Sequence, residues 1–114
     1  MKRLLSLGLL MWLALLGHGA HAQAWPQKPI RIIVPYTVGG ASDITARLIG
    51  QWLADHLGQP FVVENRTGGG GNIGAEFVAR ADPDGTTFLA SPPGPVAINH
   101  HLYKSLPFDP TKWV

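Results

Sequence analysis

Cysteine is absent from the 114 residues of the chain. Disulfide bonds and thiolate chemistry are therefore excluded, and the folded state has to be stabilised by an ordinary hydrophobic core. Long apolar runs are lacking too. The longest, residues 4–16, spans about 13 positions, whereas a helix needs about 20 to cross a bilayer. The sequence therefore predicts no retained membrane anchor.

An excess of either charge is also missing. Nine Lys and Arg residues stand against seven Asp and Glu residues, and Lys2 and Arg3 account for the whole formal charge of +2, which leaves seven against seven. Proteins that bind nucleic acid through its phosphates usually carry a basic patch. No nucleic-acid partner is therefore expected.

The first residues have the parts of a secretory signal peptide. A basic start, residues 1–3, precedes the apolar run, and small residues follow at positions 20, 22 and 24. We expect cleavage near Ala22 or Ala24, so that residues 1–24 are the leader and residues 25–114 the exported domain. A domain of roughly 90 residues can bury one small core.

The exported part begins with a strand pattern followed by a helix pattern. Residues 30–35 are rich in β-branched side chains and end in proline, which favours a strand buried on both faces of a parallel sheet. A helix follows the turn at residues 39–40 and stops at Gly58, and Ser42 or Asp43 is expected to cap it. Six apolar residues predict one broad helix face that packs against the sheet: Ile44, Leu48, Ile49, Trp52, Leu53 and Leu57.

The alternation continues along the chain. Residues 61–64 predict a second strand, residues 72–81 a second helix, and residues 86–90 a third strand that follows a turn at residues 83–85. The order βαβαβ implies right-handed crossovers between parallel strands. The predicted fold class is therefore α/β.

Glycine-rich turns follow the first two predicted strands. In residues 61–75 a strand runs into four glycines that open a helix, and residues 30–43 repeat the arrangement. Backbone N–H groups at a helix start lack intrahelical partners and lie at the positive end of the helix dipole, so they suit a carboxylate or phosphate. Ligands of open α/β sheets bind beyond the carboxyl ends of the strands, where the loops at residues 35–43, 66–72 and 91–98 would meet if the strands are neighbours. We therefore predict a receptor for a small anionic solute.

Other kinds of site have less support. Residues 69–74 fit the G-x-G-x-x-G motif of dinucleotide-binding proteins, but no acidic residue follows about 20 positions later to hold the ribose, so no cofactor is expected. His100 and His101 are adjacent and would point apart on regular structure, which argues against a metal site. Asp43 could act as a general base, but a role in capping its helix or in holding the glycine loop is favoured.

Short motifs stand in a specific order and spacing across residues 25–110. They are Trp25-Pro26-x-Lys28-Pro29-Ile30-Arg31, Val34-Pro35-Tyr36 with Gly39-Gly40 and Asp43, Gly58-Gln59-Pro60 with Val63-Glu64-Asn65-Arg66, Gly70-Gly71-Asn72-Ile73-Gly74-Ala75, Pro83-Asp84-Gly85, and Ala97-Ile98-Asn99 with His101-Leu102-Tyr103 and Leu106-Pro107-Phe108-Asp109-Pro110. In this arrangement the chain resembles the periplasmic solute receptors of tripartite tricarboxylate transporters, also called Bug-type extracytoplasmic receptors.

The resemblance implies a two-lobed, flytrap-like binding protein of the periplasm, which closes on a small organic carboxylate and delivers it to a membrane permease. It implies a binding protein and not an enzyme, with the ligand held largely by backbone amides, hydroxyl groups and water. The positions that match the family's binding loops are Tyr36, Gly39, Gly40, Ser42, Asp43, Gly70, Gly71, Asn72, Ser91 and Ala97. Thr37 replaces a common proline and adds a hydroxyl group near the first of these loops.

The chain departs from the family pattern after Pro110, in residues 111–114, and we expect the second lobe to be missing. The expected fold is therefore a truncated βαβαβ part of the first lobe, with weak or no carboxylate binding by this chain alone. Two other hypotheses stay open: a short exported interaction domain that pairs through an open sheet edge, and a small exported hydrolase that uses Asp43 and a histidine. No side chain indicates whether the ligand is a dicarboxylate, a tricarboxylate, an amino acid or an aromatic acid.

Overall fold

The computed structural model describes residues 24–112. Its strands and helices in chain order are β1 (Ile30–Val34), α1 (Ala41–Leu57), β2 (Phe61–Asn65), α2 (Asn72–Ala79), β3 (Thr87–Leu89) and α3 (Asn99–Leu102). Short helical turns cover Gly69–Gly71, Gly94–Ile98 and Pro110–Lys112. The expected signal peptide lies outside the described residues, except for Ala24. Within residues 24–112, no helix combines the length and the hydrophobicity that crossing a membrane requires.

The three strands form one parallel sheet in the order β2-β1-β3. The central strand β1 pairs with both neighbours, and its Ile32 lies opposite Val63 on one side and Phe88 on the other. This topology confirms the predicted α/β fold and its βαβαβ order. Strand β3 and helix α2 are shorter than predicted, since they span Thr87–Leu89 and Asn72–Ala79. Because the strands run in one direction, the loops that follow them leave the sheet at the same edge.

The core follows the central strand. All four of its apolar residues are buried: Ile30, Ile32, Ile33 and Val34. Successive side chains of a strand point to opposite faces, so this strand is covered on both, as predicted. Arg31 is the exception, because its half-buried guanidinium donates two hydrogen bonds to the carboxylate of Glu64 in β2 (2.7 and 2.9 Å) and lies 4.8 Å from the ring centroid of Phe77.

Helix α1 packs on the sheet through its small residues. Ala46 and Gly50 are buried on that side, and a Cβ added at Gly50 would lie only 3.3 Å from the Cβ of Phe61. The prediction that the large apolar residues of this helix cover the sheet is wrong for five of the six, which are exposed: Ile44, Leu48, Ile49, Trp52 and Leu57. Leu48, for example, is 69% exposed. Close backbone approach requires small side chains at the contact, so the small face of the helix meets the sheet.

The start of α1 also differs from the prediction. Gly40 is the residue before the helix, and no side chain caps it. The predicted capping by Ser42 or Asp43 is therefore wrong, because both lie inside the helix that Ala41 begins. The carboxylate of Asp43 instead accepts a hydrogen bond from the backbone N–H of Gly39, one residue before the cap.

Helix α2 approaches the residue after β1 closely at Gly74. A Cβ added at Gly74 would lie 2.7 Å from the Cβ of Pro35 and 2.9 Å from the carbonyl oxygen of Arg66, so the backbone would have to shift. We predict that Gly74→Ala lowers the free energy of unfolding by about 1–3 kcal/mol, the usual cost of overpacking, although alanine favours helix over glycine. Denaturant unfolding of the full chain measures this change.

Gly50→Ala is the matched control, because Gly50 is also buried in a helix. Its added Cβ would meet Phe61 and Ile32 at 3.3 and 3.4 Å, a gap that a small side-chain movement can relieve. The higher helix propensity of alanine, about 1 kcal/mol, offsets part of that cost. Equal losses of stability in the two variants would contradict the close approach at Gly74.

Candidate functional site

Asp43 organises the first loop, residues 35–40. Its side chain is only 2% exposed. Oδ2 accepts hydrogen bonds from the backbone N–H of Gly39 (2.9 Å) and from Nε of Arg47 (3.1 Å), and Oδ1 accepts one from Nδ2 of Asn65 (3.0 Å). The hydrogen bonds from Arg47 and Gly39 lower the pKa of Asp43 to about 2, since they favour the charged form. The favoured role in holding the glycine loop is therefore confirmed.

Asn65 links the first loop to the end of β2. Its Nδ2 donates to the backbone oxygen of Tyr36 (3.0 Å) as well as to Asp43, and its Oδ1 accepts a hydrogen bond from Nη2 of Arg47 (3.1 Å). Sequence reasoning named Asn65 only within a family motif and missed this role. The available signal was a polar amide at the end of a strand, where the loops of a parallel sheet meet.

In the second loop, residues 66–71, backbone groups form hydrogen bonds with one another. Its four glycines have φ angles of +121°, +56°, +65° and +93° at residues 68–71. The N–H groups of Gly71 and Asn72 donate to the carbonyl oxygens of Gly68 and Gly69. These amides were expected to be free for an anion. The tight turn satisfies them instead, so these two amides are not available to an anion as predicted.

The third loop, residues 90–98, and α3 lie against the second loop. The carbonyl oxygen of Gly70 accepts hydrogen bonds from the hydroxyl of Tyr36 (3.2 Å) and from Nδ2 of Asn99 (3.0 Å). Nδ2 of Asn99 also donates to Oδ1 of Asn72 (2.6 Å). The structure thus brings Tyr36, Gly70 and Asn72 together from the predicted set. Asn99 is a further residue that sequence reasoning did not assign to the site.

An open groove of about 350 Å³ lies between the start of α1 and the end of β3. Its lining residues are Ile32, Ala41, Ser42, Thr45, Ala46, Ile49, Ala90, Ser91 and Pro92. Three of them carry hydroxyl groups, and none is charged. Within residues 24–112, the backbone N–H groups of Ala41, Ser42 and Asp43 donate to no protein acceptor. They lie at the positive end of the helix dipole.

Two predicted residues stay apart from these contacts. Thr37 and Ala97 are exposed, and neither side chain lines the groove. The carbonyl oxygen of Thr37 accepts a hydrogen bond from the backbone N–H of Gly40 (3.4 Å), within the first loop. The groove therefore contains Ser42 and Ser91 from the predicted set, and the other predicted residues are not among its lining residues.

The two adjacent histidines differ from the expectation. The ring centroids of His100 and His101 are 3.7 Å apart, with the planes tilted by 44°. The prediction that these side chains point apart is wrong, because both are exposed on a helix of four residues and their rings are free to turn toward each other. In the part of the chain that the structure describes, no three His, Cys, Asp or Glu side chains are grouped to hold a metal ion.

Comparison with known proteins identifies the family. The sequence profile of TctC, the tripartite tricarboxylate transporter family receptor, matches residues 45–114. The chain belongs to this family. Among its TctC relatives, BugT of Bordetella pertussis is 40% identical over 110 residues, which cover 95% of this chain and 34% of BugT. A UPF0065 protein of the same organism is 38% identical over 108 residues, 95% of this chain and 32% of that protein. The chain thus spans about one third of the length of these relatives.

Solved structures share the fold. A periplasmic transporter is 50% identical with a TM-score of 0.74, over 78% of this chain and 30% of that chain. The R. palustris protein Rpa4515 with adipate is 44% identical with a TM-score of 0.73, over 76% of this chain and 29% of that chain. MatC from Rhodopseudomonas palustris with bound malate is 38% identical with a TM-score of 0.72, over 77% of this chain and 30% of MatC. The resemblance to the Bug-type TctC receptors, which are solute-binding proteins, is thereby confirmed.

Asp43 makes the stability of this fold depend on pH in the acid range. Its pKa is about 2 in the folded chain and 3.8 in the absence of the fold. The ionised carboxylate therefore stabilises the folded state fully above about pH 4, and this contribution is lost as the pH falls from about 4 towards 2. We predict that Asp43→Asn flattens this part of the stability profile and lowers stability at neutral pH. Denaturant unfolding across the acid range measures both effects.

Asp84 also makes the stability of the fold depend on pH, in the same acid range. Hydrogen bonds from Lys28 and Thr86 lower its pKa to about 2, so part of the acid sensitivity should remain in Asp43→Asn. Adding Asp84→Asn should flatten the profile further. An acid profile that is unchanged in Asp43→Asn would show that this carboxylate is not held as the structure describes.

Proposed function

We propose that this chain is part of a periplasmic receptor, exported with cleavage near Ala22 or Ala24, that binds a small organic carboxylate and delivers it to a membrane permease. The proposal is supported by membership of the TctC family and by two relatives solved with carboxylates, adipate and malate. The residues that we assign to the binding loops are Tyr36, Thr37, Gly39, Gly40, Ser42, Asp43, Gly70, Gly71, Asn72, Ser91 and Ala97.

The observation that carries this proposal is the uncharged groove at the start of α1. Ser42 and Ser91 line it, and the backbone N–H groups of Ala41 and Ser42 have no protein acceptor within residues 24–112. A carboxylate at a helix start gains hydrogen bonds and a favourable dipole without any cationic side chain. The apolar remainder of the groove suits the hydrocarbon part of an organic acid.

We propose that this chain alone binds its carboxylate weakly. Ligand sites usually bury most of the ligand surface, whereas this groove is open to solvent within the described residues. A dissociation constant of about 1 mM corresponds to roughly 4 kcal/mol of binding free energy. We expect affinities of that order for the chain alone.

We also infer that the chain binds its ligand without converting it. The carboxylate of Asp43, the candidate general base, is committed to Gly39, Arg47 and Asn65. Its lowered pKa makes it a weak base at neutral pH. Within residues 24–112, no histidine is among its hydrogen-bond partners, which counts against the hydrolase hypothesis.

Association through a sheet edge is a second hypothesis with an observation of its own. Within residues 24–112, β2 and β3 each pair on one side only, and Val62 and Phe88 on these strands are 44% and 43% exposed. Unpaired strand edges are templates for pairing with another chain. Light scattering distinguishes the two hypotheses, because a stable dimer at low concentration supports edge pairing and a monomer supports the receptor.

Carboxylate binding is tested by NMR titration of the purified full chain with malate, adipate and citrate. We predict saturable amide shifts centred on Ala41 and Ser42. The double variant Ser42→Ala/Ser91→Ala should weaken the affinity about tenfold, because each hydrogen bond from a hydroxyl group contributes roughly 0.5–1.5 kcal/mol. Weak affinity does not prevent detection by this method.

Ser105→Ala is the matched control, since Ser105 is exposed and lies outside the groove. It should bind with the affinity of the unchanged chain. A titration with chloride at equal ionic strength corrects for general salt effects. If no carboxylate produces shifts beyond those of chloride, this chain is not a carboxylate binder and the proposal fails.

A further inference from the structure

Residues 68–71 of the second loop have no side chains that could fix their shape. Its four consecutive glycines all have positive φ angles, at residues 68–71. Glycine loses more conformational freedom on ordering than any other residue. Hydrogen bonds inside the turn, such as that from Gly71 to Gly68 (3.0 Å), hold only part of it. The native form of this loop therefore depends on contacts from outside.

Those outside contacts converge on the carbonyl oxygen of Gly70. The hydroxyl of Tyr36 donates to it from the first loop (3.2 Å), and Nδ2 of Asn99 donates to it from α3 (3.0 Å). The second hydrogen on Nδ2 of Asn99 points to Oδ1 of Asn72 at the start of α2 (2.6 Å). One amide nitrogen thus bonds both to the second loop and to the first residue of the helix that follows it.

The environment makes this amide hard to replace. Asn99 is 6% exposed and Asn72 is 8% exposed, and hydrogen bonds shielded from water are stronger than exposed ones. Both acceptors are oxygens, so the side chain at position 99 has to provide two donor hydrogens at one atom. Among side chains of this size and shape, only the asparagine amide does so.

We propose that Asn99 is a positioning residue that fixes the second loop against Tyr36 and so presets the three loops as one unit. It acts through Gly70 and Asn72 and need not contact the ligand. The consequence for carboxylate binding rests on the proposed function, whereas the fixing of the loop does not. Without Asn99 the second loop samples more conformations, and a ligand then has to order it on binding.

The first test is amide hydrogen exchange of the full chain. Asn99→Leu keeps a similar side-chain size and removes both hydrogen bonds. We expect the amides of Gly71 and Asn72, which donate inside the second loop, to exchange about tenfold faster. His100→Leu is the matched control, because His100 is the exposed neighbour on α3 and its ring lies against that of His101. Equal exchange in Asn99→Leu and the unchanged chain would overturn the proposal.

The second test uses Asn99→Asp and separates positioning from general packing. The introduced carboxyl group would face the fixed carbonyl oxygen of Gly70, which favours its protonated form and raises its pKa above the ordinary value near 3.9. Carbon-13 NMR titration reads that pKa directly. The second loop should exchange fast when the group is ionised and regain protection when it is protonated and can donate. An ordinary pKa with no recovery would overturn the proposal.

Carboxylate titration of Asn99→Leu distinguishes this proposal from the proposed function. Faster loop exchange together with affinity reduced several-fold supports both. Faster exchange in Asn99→Leu, when the unchanged chain also binds no carboxylate, supports the positioning role and refutes the receptor function. Unchanged exchange overturns the positioning role even if the chain binds carboxylates well.

Discussion

Parallel pairing of β1 with both β2 and β3 is the constraint on which the rest of the structure depends. It buries the apolar residues of the central strand on both faces. It also brings the loops after all three strands to one edge of the sheet. Residues that are far apart in the chain, such as Gly39, Gly70 and Ser91, therefore belong to one region of the molecule.

Side-chain amides and one carboxylate then stabilise the backbone of the first two loops. Asp43 and Asn65 hold the first loop, and Asn99 holds the second. In each case a polar side chain supplies the partner that the loop backbone lacks. A buried carboxylate is compatible with this arrangement because Arg47 and two further donors stabilise its charge.

Helix α1 shows how packing and function share one element. Its small residues permit close contact with the sheet, and Gly50 lies against Phe61. Its first turn borders the groove, with Ser42 among the lining residues. Its large apolar residues, among them Leu48 and Trp52, remain exposed within the described part of the chain. One face of α1 thus packs on the sheet, while the first turn of the same helix lines the groove.

The sequence by itself determined the α/β class, the order of the elements, the buried central strand and the end of α1. Short-range patterns carry each of these, as at Gly58, whose left-handed φ of 71° ends the helix with its N–H donating to Ala54. The order and spacing of the short motifs likewise sufficed to identify the family. Neither the face of α1 that meets the sheet nor the pairing of the second-loop amides followed from such patterns.

Only the tertiary structure decided the roles of Asn65 and Asn99. Asn99 bonds to Gly70, 29 residues away, and Asn65 bonds to Asp43, 22 residues away. A hydrogen bond forms only when donor and acceptor approach within about 3 Å in the right orientation. No local pattern encodes that approach, because the sheet has to pair before the loops can meet.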